Sequence, residues 1–283
     1  MKIIKNETYS CERALYNISD TIIDGCTFAS SVGESPLKET NNIIVKNSNF
    51  SIRYALWHVT NFEIDHIAMD ELARATLWYC NRGVINDSKL HGIKVIRECS
   101  DIVMENCDID SDEFGWRSNN ITIKNCDLNS VYPFLMSSDI KVDGLKMTGK
   151  YSFQYTKNIE INNASFVTKD AFWHTENAVI RNSSITSEYV GWYSKNLTLI
   201  NCVIEGTQPF CYCENLKLID CKMVNCDLAF EYSSVNATII GDVVSIKNPL
   251  SGEIVCDGVQ EIITSNQVKP CTGIVTIRKK GLK

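Results

Sequence analysis

Residues 194–206 read SKNLTLINCVIEG, residues 213–225 read CENLKLIDCKMVN, and residues 118–130 read SNNITIKNCDLNS. Each is the same phrase: an asparagine, an apolar–polar–apolar triplet, an Asn or Asp followed by cysteine, and one more apolar residue. Strict alternation such as Leu197–Thr198–Leu199 marks a β-strand with one buried face. Asn, Asp and Gly around it are the residues that tolerate left-handed backbone angles, so each strand is bounded by sharp corners.

Taking Cys202 as reference, the matching positions are Cys26, Ser48, Ile67, Ser88, Cys107, Cys126, Leu145, Ala164, Ser183, Cys221 and Asp242. The step is 19 residues from Ser88 through Cys221 and 19 to 22 elsewhere. A repeat of this kind is one supersecondary unit that buries its core only by stacking on its neighbours. The sustained step of 19 fits neither a pentapeptide helix, at about 20, nor a left-handed hexapeptide helix, at about 18, and the consensus of a leucine-rich repeat is missing. The expectation is an all-β protein, a right-handed parallel β-helix of about twelve coils from residue 11 to 244. Residues 1–244 then form the helix domain, and residues 245–283 cap its open end.

The chain of 283 residues carries a formal charge of −6, which argues against a nucleic-acid partner. Its opening, MKIIKNETYSCERALY, has no long apolar run of the kind a secretory signal or membrane anchor needs. With thirteen cysteines and no CxxC pair, the expectation is a cytoplasmic protein with reduced thiols, no membrane partner, no metal and no cofactor. The stacked pairs Cys107 with Cys126 and Cys202 with Cys221 are expected as small core residues.

The second strand of each coil gathers the chemistry. All five tryptophans, Trp57, Trp78, Trp116, Trp173 and Trp192, fall in one column, together with Arg97 and Gln154. The next column holds His58, Tyr79, Glu98, Arg117, Tyr155, His174 and Tyr193. The column before it is apolar or glycine, so alternation turns the tryptophans outward. Aromatic rings interleaved with polar groups suit a sugar chain, and the five tryptophans with His58, Tyr79, Lys94, Gln154, Tyr155, His174 and Tyr193 are the candidate substrate-binding set. The middle coils also bring Arg97 and Glu98 beside Asp112, Glu113 and Arg117, the candidate catalytic group. In a lyase, Glu98 would remove the proton beside a uronate while Arg97 or Arg117 holds its carboxylate. In a hydrolase, two of the carboxylates would straddle the scissile bond. The same charges also make a plain ion-pair ladder.

CERALY (11–16), GESPLKET (33–40), ARATLWYC (73–80), TKDAFWHTEN (168–177), EYVGWYSKNLTLINC (188–202), GTQPFCYCENL (206–216) and DLAFEYSSVNA (227–237) together resemble a bacterial family, domain-of-unknown-function family 3737. That resemblance spans nearly the whole chain and implies a pectin-lyase-like β-helix, with no activity to carry over. The function expected is oligosaccharide or glycoside binding along the aromatic stripe, either as a binder or as a polysaccharide lyase or glycoside hydrolase. The alternative from another class is a non-catalytic scaffold that uses the stripe for protein–protein contact or homo-oligomer formation.

Overall fold

The computed structural model describes residues 1–278, and the last five residues of the expected cap, 279–283, lie outside it. The described residues form strands, turns and no helix, and the fold is the all-β, right-handed parallel β-helix. It divides into two compact units, Met1–Lys146 and Met147–Lys283.

In the first unit Lys2–Lys5, Ser19–Asp24, Asn41–Lys46, Thr60–Asp65, Asn81–Asn86, Ser100–Glu105 and Asn119–Val131 pair in parallel, each with the next. The register is unbroken: Ile23 faces Val45, then Ile64, Ile85, Met104 and Ile123. A second ladder runs through Thr8–Tyr9, Thr27–Glu34, Asn49–Arg53, Ala68–Met69, Lys89–His91 and Asp108–Asp110. A third, of two-residue strands Leu56–Trp57, Leu77–Trp78 and Ile96–Arg97, carries the stripe. The second unit repeats the first ladder through Lys157–Asn162, Glu176–Arg181, Lys195–Ile200, Leu216–Val224, Ser234–Ile239, Ser251–Cys256 and Ile274–Ile277.

The turns number about fifteen rather than twelve. The extra ones are Lys2–Lys5 before the legible repeats and Ser251–Cys256 and Ile274–Ile277 after them. Ser251–Cys256 and Ile274–Ile277 lack the flanking Asn–Cys corner, and Lys2–Lys5, which ends at Asn6 (φ +53), has Glu7 where the later coils carry a small residue, so the repeat pattern passes over all three.

Each corner has its own chemistry. The asparagines before the strands stand at positive φ, and they bond to one another along the solenoid: Asn215 Nδ2 donates to Asn196 Oδ1 and Asn196 Nδ2 to Asn177 Oδ1, both at 2.8 Å. The second corner does the same, with Asn201 Nδ2 donating to Asn182 Oδ1 at 2.9 Å, which fixes the register read from the repeat. A left-handed corner also leaves an inward backbone N–H to satisfy. Side chains of the reference column accept it: Ser48 Oγ from Cys26 N at 3.0 Å, Ser183 Oγ from Ala164 N at 3.0 Å, Cys126 Sγ from Cys107 N at 3.4 Å. The column alternates among Ser, Cys and small apolar residues because the space is small and an acceptor there removes a buried orphan donor.

The core is stacked like the backbone. Phe28 lies on Phe50 with ring centroids 4.8 Å apart and planes 7° from parallel, and both are buried. In the column inside the stripe, Gly115 stands at φ +74, and a Cβ there would come 2.7 Å from Phe134 Cδ1. Glycine gives the phenylalanine of the next coil its room. The thirteen cysteines are free thiols, all but Cys11 and Cys271 buried.

Candidate functional site

In the first unit the stripe is a stacked column. Trp57 and Trp78 lie with centroids 5.6 Å apart and planes 13° from parallel. Lys38 Nζ sits 4.0 Å from the Trp57 ring, and the Arg97 guanidinium lies 5.6 Å from Trp78 and 5.5 Å from Trp116. The order Lys38–Trp57–Trp78–Arg97–Trp116 thus alternates cations with aromatic faces, an arrangement that the ring quadrupole favours. The rings are half-buried, as outward-facing residues of a sheet should be, yet their faces look along the ladder at each other. Trp57 thus lies between Lys38 and Trp78, Trp78 between Trp57 and Arg97, and Arg97 also reaches Trp116, so much of the ring surface that the alternation offered to a sugar is engaged within the ladder.

The second unit follows the same rule. Trp173 and Trp192 stack at 5.6 Å and 4°, and beside them Tyr155, His174, Tyr193 and Tyr212 stack in succession at 4.8, 5.0 and 4.9 Å. The indole N–H groups act as staples to the following turn: Trp173 Nε1 donates to Tyr189 O at 2.9 Å and Trp192 Nε1 to Gln208 O at 2.7 Å. Gln154 Nε2 makes the equivalent bond to Asp170 O at 3.1 Å. In the first unit Trp116 Nε1 donates to Tyr132 O, 2.6 Å away, whereas the buried Nε1 atoms of Trp57 and Trp78 have no acceptor.

The structure brings four of the charged candidates together. Lys94 Nζ is 3.0 Å from Glu113 Oε2, Arg97 Nη1 is 3.8 Å from the same oxygen, and Arg97 Nε is 3.3 Å from Glu98 Oε1. Both carboxylates therefore face cations, the plain ion-pair ladder. His58 is likewise matched, its Nδ1 2.8 Å from Glu39 Oε1, and its ring lies 5.2 Å from the exposed Tyr79. Arg117 is exposed and joins no ion pair among the described residues. Asp112 turns elsewhere: its Oδ1 accepts the Val131 backbone N–H at 2.8 Å.

Asp112 also lines a groove of about 870 Å³ that opens over the second ladder of the first unit. Lys89, His91, Asp110 and Asn129 contribute outward-facing side chains from successive strands and the turn beside them. Leu72 and Ile93 add apolar surface. His91 lies opposite Asp110 in the ladder, and its Nε2 is 3.1 Å from Asp108 Oδ2. Asn129 Nδ2 donates to Asp110 Oδ1 at 3.1 Å, so the next turn orients that carboxylate. One wall is the Asp70–Glu71–Leu72 segment, where Asp70 Oδ1 accepts the Leu72 N–H at 3.0 Å. Apart from Asp112, no sequence candidate lies here. One signal was present: the step from Ile67 to Ser88 is 21 residues instead of 19, and the two extra residues build this wall.

At the asparagine corner, ligand atoms of Asp65, His66 and Asp87 fall within 4.8 Å of one another. His66 Nδ1 is 2.9 Å from Asp65 Oδ1, and Asp87 Oδ1 accepts from Asn106 Nδ2 at 3.1 Å, so these groups belong to the corner ladder.

Among solved structures, the chain is similar to a mutant tailspike protein of E. coli bacteriophage HK620 in complex with a pentasaccharide (10% identity, TM-score 0.43), covering 94% of this chain and 61% of the tailspike. It is similar also to PfbA, a surface adhesin of Streptococcus pneumoniae (10% identity, TM-score 0.39, 97% and 82% covered). A third is the A-module of a mannuronan C-5 epimerase of Azotobacter vinelandii (8% identity, TM-score 0.31, 97% and 89% covered). The chain thus spans about 61% of the tailspike's length. No curated protein matches it. Over residues 2–276 it matches the profile of the family described as "Protein of unknown function (DUF3737)", and to that family the chain belongs.

Proposed function

We propose that this is a carbohydrate-binding β-helix protein that seats an oligosaccharide in the groove of the first unit. The observation that carries the reading is the groove: about 870 Å³, with Leu72 and Ile93 beside Lys89, His91, Asp110 and Asn129. That volume lies in the range of about 300–1,000 Å³ usual for ligand sites, and a few convergent polar groups among apolar ones is their usual lining. Carboxylates accept from sugar hydroxyls, the asparagine amide both donates and accepts, and lysine donates. Outward side chains of adjacent coils recur about every 4.8 Å, a row of equivalent contacts for a polymer of repeating units. The ion-paired Arg97, Glu98 and Glu113 support coil stacking in this reading, and binding requires no turnover from them.

Calorimetric titration with a panel of oligosaccharides tests the proposal. At least one should bind the wild-type chain, and His91→Ala or Asp110→Ala should weaken it about tenfold, the loss of one or two groove hydrogen bonds. Equal binding by both variants, or no binding by any saccharide, overturns it. A second reading, self-association, is favoured by the row of exposed ring edges in the second unit, where Tyr155 is 47% and Tyr193 42% exposed. Sedimentation at rising concentration distinguishes it.

A further inference from the structure

Within the reading of the groove as a saccharide site, we propose that it takes a cationic saccharide, an oligomer bearing free amino groups, and turns away oligouronates. Four carboxylates line it: Asp70, Glu71, Asp110 and Asp112. None of the four forms an ion pair among the described residues. Three are held by neutral donors instead, Asp70 by the Leu72 N–H, Asp110 by the Asn129 amide and Asp112 by the Val131 N–H.

The contrast with the stripe on the same coils is what makes this informative. There Glu39 meets His58 at 2.8 Å, and Glu98 and Glu113 meet Arg97 and Lys94. On the second ladder itself Glu34 and Asp108 also find partners, Arg53 and His91, so the unpaired carboxylates are the ones that line the groove. Of the basic groups lining the groove, His91 already faces the Asp108 carboxylate, which leaves Lys89 as the single lysine against four acids. A uronate would add negative charge to a negative trough. An ammonium would supply the cation that these carboxylates lack, and the neutral bonds already hold their oxygens in place to receive it.

The test compares three oligomers of equal length by calorimetry, with a chelator present to exclude metal bridging: β-linked glucosamine, its N-acetylated counterpart, and an oligouronate. At low salt the amino oligomer should bind about tenfold more tightly than the acetylated one, as expected for a few partly exposed ion pairs. The advantage should collapse in the Asp110→Asn/Asp112→Asn double variant and at high salt. Glu71→Gln, whose side chain makes no hydrogen bond or ion pair among the described residues, serves as the second variant should the double one fold poorly, and it should lose part of the advantage. Equal binding of the acetylated oligomer, or a preference for the uronate, overturns the charge assignment and leaves the saccharide reading standing. Binding by none of the three, with other saccharides still bound, also removes the charge assignment. Binding by no saccharide of any class removes both.

Discussion

Replacing Arg97 by methionine separates a stacking ladder from a catalytic group. The guanidinium lies 5.6 Å from the Trp78 centroid and 5.5 Å from Trp116, and its side chain is 20% exposed. It also approaches Glu98 at 3.3 Å and Glu113 at 3.8 Å. Methionine keeps most of the stem volume and removes the charge. Each cation–π contact at a partly buried site contributes about 0.5–1 kcal/mol, and each screened ion pair about 0.5 kcal/mol or less. Lys94 still neutralises Glu113, so little repulsion is added. The expected loss is about 2 kcal/mol. Urea denaturation of the full chain measures it as a shift in midpoint at unchanged slope. Arg97→Lys should recover less than half, since an ammonium loses the planar stacking on the rings. A loss below about 0.5 kcal/mol, the scatter of ordinary surface substitutions, would refute the ladder as the reason for arginine at this position.

Two further outcomes follow from buried ionisable groups. Asp170 is 8% exposed, its Oδ1 has no hydrogen-bond partner, and burial raises its carboxyl above the usual range. A raised acid is harder to ionise in the fold, so stability should fall as pH rises from the unfolded carboxyl value through the folded one. Asp170→Asn should therefore stabilise by about 1 kcal/mol at neutral pH and by progressively less in acid, measured by thermal melts across pH; a destabilising effect at neutral pH contradicts this. Burial pushes the Cys213 thiol up to about 11, so its contribution to stability should decline between about pH 8.5, the value of an unperturbed thiol, and 11. In the native protein at pH 8, iodoacetamide should label exposed Cys11 first and Cys213 only after unfolding, as read by peptide mass spectrometry; early labelling of Cys213 refutes its burial.

The solenoid was legible because its contacts join residues a fixed number of positions apart. Leu199 faces Leu218 and Leu197 faces Ala178, and Asn201 meets Asn182, each across one step of 19, so the periodicity of the chain is the periodicity of the fold. Where a coil lost its corner residues, as in Ile274–Ile277, the alternation alone was too short to distinguish from any other strand. The site was only half legible. Columns correctly placed the tryptophans on the outer side of their strand, and placed Arg97 beside Glu98 and Glu113.

By itself the sequence determined the coil, its corners and its inward residues, because backbone angles and alternation are local properties repeated often enough to read. Tertiary structure alone decided what the outward residues present. Rings stacked at 5.6 Å cover one another's faces, since the spacing between coils is close to the thickness of two aromatic planes in contact. The partner of each carboxylate was likewise decided across coils: Glu113 turns to Lys94 and Asp112 to a backbone N–H, although they are adjacent in the chain. Two residues inserted between Ile67 and Ser88 give a groove its wall only because the neighbouring turns keep the regular path around them.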